Sequence, residues 1–397
     1  MPAHLSLRRR ALLAGGAGLL AGPAAAFTHP FANGERRLVA YPEKRPLIVL
    51  TSRPPQLETP FEVFNDGPIT PNDAFFVRYH NAGIPTSIDA DTHQIKVSGN
   101  AIAKPFALSM AELKTAFKPV EITAVNQCSG NGRGLFNPRV TGGQLANGAM
   151  GNARWLGVPL KDLLARAEPK NSARQVVFNG LDEALFGGGD FVKSLDVAHA
   201  MDGEVMLAWQ MNGADIPLLN GYPVKLIVPG YYGTYWVKHL SEIEVIDSVY
   251  EGFWMKPAYR IPDNDCACVE PGTAPEATRP IARLNVRSFI TSVADGARVP
   301  AGAPLAVKGI AFDGGQGIRE VAFSTDGGAS WRGATLGEDL GRYSFREFRF
   351  GFTPAPGQHD LRVRAWNRSG QSQPMEALWQ PAGYMRNVVE SVRITAA

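Results

Sequence analysis

The chain has 397 residues, enough for two domains of ordinary size and a sizeable core. Its 42 Gly and 30 Pro among 45% apolar residues exclude a disordered chain and lean towards a loop-rich, β-rich fold. The formal charge is only +3, and residues 1–26, with Arg8, Arg9 and Arg10 and no acidic residue, account for all of it, so nothing argues for nucleic acid or an acidic membrane surface.

The start reads as a targeting segment. Ser6-Leu7-Arg8-Arg9-Arg10-Ala11 precedes a mild Gly/Ala-rich apolar run to Leu20, and Ala24-Ala25-Ala26 offers small residues for cleavage, the pattern of a twin-arginine export signal over residues 1–26. That route carries proteins already folded, often around a cofactor. An ordinary secretory signal or an uncleaved anchor is the alternative. No later run is apolar and long enough to span a bilayer, so a soluble periplasmic protein is expected. Three cysteines in an exported chain leave at least one unpaired. Cys266 and Cys268 could pair with each other only in a strained ring, and no CxxCH or CxxC is present, so neither a c-type haem nor a zinc site is visible. Cys128 is expected to be the odd one out.

Residues 27–72 are Pro-rich and read as an irregular, extended arm around a later domain. Residues 74–80 then alternate like a strand, which would put Arg78 and His80 on one face. A fixed cation beside an imidazole suits an anionic ligand; a solvated edge strand reads equally well. Strands are expected at 95–97 and 122–125, with a short helix over 109–117 capped by Ser109 between them.

The strand at 122–125 runs into Asn126-Gln127-Cys128-Ser129-Gly130-Asn131-Gly132-Arg133-Gly134, the stretch on which the functional reading turns. Alternate glycines let the backbone approach something bulky, and a cysteine at such a strand end, near Arg133 and free backbone amides, is set up as a thiolate, the form that acts as nucleophile or metal ligand. A buried structural thiol is the competing reading. Further on, 159–167 is an amphipathic helix, 175–178 a strand ending at Asn179-Gly180-Leu181-Asp182, and 224–228 a buried strand broken by Pro229-Gly230. Tyr231-Tyr232-Gly233-Thr234-Tyr235-Trp236-Val237-Lys238 follows as an aromatic loop with a cation at its end, a texture more often found at a site than in packing. Residues 269–277 are linker-like. Beyond them short alternating runs at 306–311, 320–324, 343–350 and 360–365, with a hairpin signal at Thr325-Asp326-Gly327-Gly328, indicate an all-β, immunoglobulin-like sandwich.

Taken together, five blocks resemble the sulfite oxidase family of molybdenum enzymes, and most closely its bacterial periplasmic sulfite dehydrogenases. They are Phe75-Phe76-Val77-Arg78-Tyr79-His80, the Asn126 to Arg133 stretch, Gly148-Ala149-Met150-Gly151-Asn152-Ala153-Arg154-Trp155, Val228-Pro229-Gly230 through Trp236-Val237-Lys238, and Gly252-Phe253-Trp254-Met255-Lys256-Pro257-Ala258-Tyr259-Arg260. The resemblance covers essentially all of the chain after the export signal over 1–26, and beyond the arm over 27–72 it implies an α+β molybdopterin-binding catalytic domain of the sulfite oxidase fold over 73–270 and an immunoglobulin-like dimerisation domain over 271–397. It implies a molybdenum-molybdopterin cofactor with Cys128 as the thiolate ligand of the metal, in keeping with the preference of soft ligands for such metals.

The resemblance further implies that Arg78, His80, Arg133, Tyr259 and, from the C-terminal domain, Arg386 line the oxyanion pocket. Phe76, Val77, Arg78, Tyr79, His80, Asp182, Asn220, Lys225, Trp236, Val237 and Lys238 match positions that hold the pterin and its phosphate. The implied reaction is two-electron oxygen transfer to sulfite, giving sulfate, with the metal reoxidised one electron at a time. Arg78 and Arg133 would offer planar forks of donors to the dianion, and His80, titrating near neutrality, would make turnover pH-sensitive.

This chain departs from the animal enzymes at Ala382, where they carry an arginine, at Leu145, where they carry a tryptophan, and at Asn220 and Lys225, where they carry a histidine and an arginine. Tyr250, just before Gly252-Phe253, competes with Tyr259 for the pocket-tyrosine role, and the spacing from Cys128 favours Tyr259. With no cytochrome b5-like domain and no haem on this chain expected, electrons would leave to a separate c-type cytochrome, and the assembly would be a homodimer or a pair with a haem subunit. A sulfane dehydrogenase subunit or another oxyanion-handling member, such as a nitrate reductase, is the nearest alternative. An exported binding protein with a structural Cys128 is the alternative outside enzymes.

Overall fold

A computed structural model describes residues 26–28, 35–39, 41–185 and 189–397. Most of the export signal expected over 1–26 lies outside these residues. The described chain is built mainly from strands, with three short α-helices of which the longest, Leu160–Ala167, has eight residues.

The segment read as an irregular arm is in fact strand-forming. Leu47–Ser52 and Pro55–Glu58 pair as an antiparallel hairpin, and the sheet runs from Ala26–Thr28 through Glu35–Val39 and this hairpin to Val77–Arg78. The apolar run at 47–50 had the strand signal, but Pro54 and Pro55 disguised it; they occupy the turn and its exit, where a missing N–H costs nothing. The strand expected over 74–80 shrinks to Val77–Arg78, because Ala74 and Phe75 close turns on the carbonyls of Pro71 and Asn72 at 3.0 and 3.4 Å.

Two sheets form the middle of the molecule. One has the order Lys193–Asp196, Gln175–Gly180, Leu240–Ile246, Gln94–Ser98, Phe106–Ser109. The other runs Ala214–Asp215, Met206–Met211, Met150–Pro159, Val120–Gln127, with Lys225–Ile227 also paired to Met206–Met211. Met110–Ala116 is closed by the expected Ser109 cap, whose hydroxyl accepts from the Glu112 amide while the Glu112 carboxylate accepts from the Ser109 amide. Leu160–Ala167 buries Leu160, Leu163, Leu164 and Ala167, the 3.6-residue stripe, and ends at Glu168 in the left-handed region.

A two-stranded ribbon, Arg260–Pro262 with Thr278–Pro280, brackets the stretch expected to be a linker. The remaining strands form two facing sheets. One has the order Arg287–Ile290, Leu305–Phe312, Arg346–Phe352, Thr335–Leu336, and the other Ala297–Val299, Ser391–Ala396, Gly357–Asn367, Ile318–Ser324, Arg332–Gly333. Val307, Val321, Phe348, Leu361 and Ile394 fill the space between them, and Phe323 stacks on Phe350 with ring centres 4.0 Å apart. The hairpin signal at 325–328 joins Ile318–Ser324 to Arg332–Gly333. The strand expected from 343 begins later, because Ser344 turns back onto the Gly341 carbonyl at 3.0 Å, and the Tyr343 carbonyl accepts from Val125 in the middle of the molecule at 2.9 Å.

Cys128 is the free, buried thiol, as its surroundings led us to expect, and Cys266 is bonded to Cys268. Among the described residues no helix is long and apolar enough to cross a membrane.

Candidate active site

Val120–Gln127 pairs antiparallel with Met150–Pro159, Gln127 opposite Met150, and the ladder continues one bond further, from the Cys128 amide to the Ala149 carbonyl at 2.9 Å. Cys128 therefore sits where the sheet ends. The turn then folds back, with the Asn131 amide on the Cys128 carbonyl at 3.0 Å. Gly130 is required by a close approach: a Cβ there would lie 2.8 Å from the Arg133 guanidinium. Gly132 has φ of 88°, a conformation that favours glycine.

The thiol faces a cavity of about 590 Å³, part of it open to solvent. Arg78, Lys225 and Lys238 bring three basic side chains to its wall; among the described residues Asp182 is the one carboxylate there. Asn126, Ser129, Asn220 and Thr234 supply neutral polar groups, and Phe75, Phe76, Phe191 and Trp236 the apolar surface. His80 and Tyr259 stand together, Nε2 of the imidazole hydrogen-bonded to the phenol.

Burial dominates the electrostatics. The Lys225 ammonium rests over the rings of Trp155 and Trp236, 5.0 and 5.7 Å from their centres, and desolvation pushes its pKa well below the usual lysine range, helped by Lys238 and Lys44. Lys238 donates to the Arg78 carbonyl at 2.6 Å; burial lowers it to about 8, against the attraction of Asp182. The Asp182 carboxyl is itself raised, by burial. His80 lies well below the ordinary imidazole range, through burial and then the fields of Arg78, Lys238, Lys193 and Arg133. The expectation of a near-neutral titration is corrected accordingly: an imidazole enclosed among cations is held neutral. Burial raises Tyr259, so the phenol keeps its proton.

These residues fit a bulky anionic cofactor. Oδ1 of Asn126, Oγ of Ser129 and Oγ of Thr234 are buried on the cavity wall without a hydrogen-bond partner in the protein, and cations outnumber carboxylates. A Cβ on Gly233, another lining residue, would come within 2.3 Å of Asn126 Oδ1, so the glycine keeps that wall open. Cys128 offers the soft donor a metal of this kind takes.

The structure thus brings Arg78, His80, Cys128, Phe76, Asp182, Asn220, Lys225, Trp236, Lys238 and Tyr259 to one cavity. Others that sequence had grouped with them lie elsewhere. Val77 and Tyr79 pack in a small core with Leu47 and Leu57, and the Tyr79 hydroxyl meets Nε2 of His239 at 2.6 Å. Val237 is buried, its carbonyl accepting from the Leu226 amide at 2.9 Å.

Arg133 is not on the cavity wall: its Nε donates to the Ala382 carbonyl at 3.1 Å and its guanidinium covers the Tyr384 ring at 5.0 Å. Arg386 does not reach the cavity either, because Glu390, four residues on, captures its guanidinium. Tyr250 is half-buried and donates its amide to Gln175 Oε1 at 2.8 Å, which leaves Tyr259 as the pocket tyrosine.

Sequence reasoning passed over Phe191, which stacks on His80 with ring centres 4.1 Å apart, and Lys193, a buried cation 4.9 Å from the Tyr259 ring centre whose pKa burial lowers to about 7. It also passed over Lys44, which holds the Asn220 side chain and donates to the Phe75 carbonyl at 3.1 Å. Nothing in the local pattern separates such lysines from solvated ones.

Comparison with known proteins agrees with this geometry. Residues 81–254 match the family model of the oxidoreductase molybdopterin binding domain, and residues 278–397 that of the Mo-co oxidoreductase dimerisation domain. The chain is 33% identical over 371 residues to mitochondrial sulfite oxidase of Homo sapiens, a match covering 89% of this chain and 66% of that protein. It is 33% identical over 374 residues to mitochondrial sulfite oxidase of Macaca fascicularis, covering 90% of this chain and 67% of that one, so it spans about two thirds of the length of these relatives. The solved structure of the sulfane dehydrogenase SoxCD from Paracoccus pantotrophus is similar in fold, with a TM-score of 0.75 at 24% identity over 97% of this chain and 92% of that one. By its two family domains and its likeness to the sulfite oxidases over nine tenths of its length, the chain belongs to the sulfite oxidase family of molybdenum enzymes.

Proposed function

We propose that the chain is an exported, periplasmic sulfite dehydrogenase that oxidises sulfite to sulfate and passes the electrons to a c-type cytochrome. The observation that carries this reading is the charge of the cavity: Arg78, Lys225 and Lys238 against Asp182, with the Cys128 thiol among them. Such a wall favours a bound anion and, beside it, an anionic substrate.

In this reading Cys128 holds the metal, and Lys225, Lys238, Asn220 and Trp236 hold the pterin and its phosphate. The molybdenum cofactor, when bound, supplies the oxygen-atom transfer and the two-electron redox step. Arg78 offers sulfite a planar pair of N–H donors. Tyr259, protonated, and His80, neutral, present a hydrogen-bonded pair that can orient the anion and move a proton without adding charge. The Phe191 ring against His80 fixes the imidazole and keeps water from one of its faces. The facing sheets after residue 287 serve as an immunoglobulin-like module through which the chain pairs with a second copy or with a haem subunit.

Steady-state kinetics of the purified protein with an artificial one-electron acceptor test the substrate. Turnover of sulfite well above that of a sulfane donor such as thiosulfate, and of nitrate with a reduced donor, is expected. Preference for the sulfane donor or for nitrate would overturn the assignment while leaving the family intact.

A further inference from the structure

The turn after Arg260–Pro262 carries chemistry that the cavity does not use. Cys266 and Cys268 close a small ring through the backbone of Ala267. Ala267 has φ of 49°, the left-handed region that a residue with a Cβ enters at a cost. Asn264 pins the turn, donating from Nδ2 to the Cys268 carbonyl at 2.8 Å and accepting the Cys268 amide on Oδ1 at 3.2 Å. Cys266 is exposed and Cys268 half-buried.

Cys266 also lines a polar cleft of about 1280 Å³, open to solvent, shared with the C-terminal sheets. Its cations are Arg279, Arg283 and Arg364, and its carboxylates Asp265 and Asp313. Asp313 is buried and occupied by the amides of Gly315, Gln316 and Gly317 at 2.9 to 3.2 Å, Arg279 stands 3.7 Å from Asp263, and Asp265 is exposed beside Cys266, so the open face of the cleft carries both signs of charge. An accessible disulfide held over a disfavoured backbone is suited to attack by a sulfur nucleophile, because breaking the S–S bond frees Ala267 to leave that conformation.

We propose that the Cys266–Cys268 disulfide is an exchange site that captures a small anionic sulfur nucleophile, sulfite or a thiolate. The nucleophile's sulfur attacks Sγ of Cys266 and forms a new S–S bond. The Cys266–Cys268 bond breaks, and its electron pair leaves as the Cys268 thiolate. Sulfite gives an S-sulfonate on Cys266, a thiolate gives a mixed disulfide, and no further oxidant or reductant is consumed. Return of the Cys268 thiolate expels the nucleophile and closes the ring. Opening releases Ala267 from its left-handed conformation. Only the sulfite arm rests on the substrate proposed above.

The test is incubation of the native, full-length protein with sulfite and, separately, with reduced glutathione, followed by alkylation of free thiols and peptide mass spectrometry. Cys266 is expected to carry the SO₃ group or the glutathione and Cys268 the alkyl label. In Ala267→Gly the opened fraction at equal nucleophile should fall about fivefold, since glycine accepts the left-handed conformation freely. A native disulfide that stays intact at concentrations opening it in the urea-unfolded chain would overturn the proposal, and so would an unchanged opened fraction in Ala267→Gly. Because the readout is mass rather than turnover, a protein that forms the adduct yet oxidises no sulfite keeps this inference and loses the substrate assignment; active protein with an inert disulfide does the reverse.

Discussion

The hydroxyl of Tyr259 is hydrogen-bonded to Nε2 of His80, a residue 179 positions earlier in the chain, with the two rings 5.5 Å apart and inclined at 79°. Tyr384 stacks on the ring of the phenol, ring centres 5.3 Å apart. The phenol is thereby fixed between an imidazole at the cavity and an aromatic of the C-terminal segment.

Replacing Tyr259 by Phe should leave the protein folded and lower sulfite turnover by about tenfold, the loss of one good hydrogen bond to the reacting system. Tyr250→Phe should leave turnover unchanged. Steady-state rates of the two variants decide between the tyrosines, and a loss in Tyr250→Phe alone would reverse the assignment.

Arg78→Ala should raise the KM for sulfite by about 10- to 100-fold, since a charge-assisted contact is worth ~1.5 to 3 kcal/mol. Arg133→Ala should raise it less, because that guanidinium is held by the Ala382 carbonyl and the Tyr384 ring off the cavity wall. Equal effects would mean that Arg133 swings into the cavity when substrate binds.

Lys225 gives a prediction of opposite signs. Its amine is fully buried and, among the described residues, has no carboxylate beside it, so Lys225→Met, which removes a buried polar group, should stabilise the cofactor-free protein against urea. The same change should reduce the molybdenum and pterin recovered with the purified protein. Stability that falls while metal content stays full would show that the side chain has a structural role only.

His239 predicts an acid limb in stability. Its Nδ1–H donates to the Tyr222 carbonyl at 2.5 Å, so Nε2 must accept from the Tyr79 hydroxyl, and burial first of all lowers its pKa from 6.5 to about 3. Below pH 6.5 the unfolded chain takes up a proton that the folded one refuses. The unfolding free energy should therefore drop as pH falls through that window, by up to about 1.4 kcal/mol per pH unit from this residue, levelling off near the folded value. His239→Asn, whose side chain tolerates the left-handed φ of 50° found there, should flatten the slope between pH 6 and 4.5 in urea titrations.

What could be read from the sequence was what local physics decides. The Ser109 cap, the stripe of Leu160–Ala167 and the end of Val120–Gln127 at a glycine-rich turn all follow from periodicity and turn chemistry. The cysteine on that turn was legible for the same reason. What was missed depends on distant parts of the chain. Arg386 was placed in the pocket by likeness of position, but Glu390 holds it away. Lys193 looks like any strand lysine until the Trp254 carbonyl, which accepts from it at 2.5 Å, and two tyrosine rings close around it. The hairpin of Leu47–Ser52 and Pro55–Glu58 was hidden by prolines that suit a turn as well as a coil.

Cys128→Ser should give a folded protein without sulfite turnover, since an alcohol replaces the soft donor. Substantial retained oxidation would sink the ligand assignment.

The central claim is that the cavity at Cys128 is a molybdenum–pterin site working on sulfite. Sulfite-dependent reduction of a c-type cytochrome by the purified protein, with molybdenum and pterin quantified on the same sample, tests it most directly. The account predicts turnover with about one metal and one pterin per chain; processed, folded protein that contains neither would contradict it.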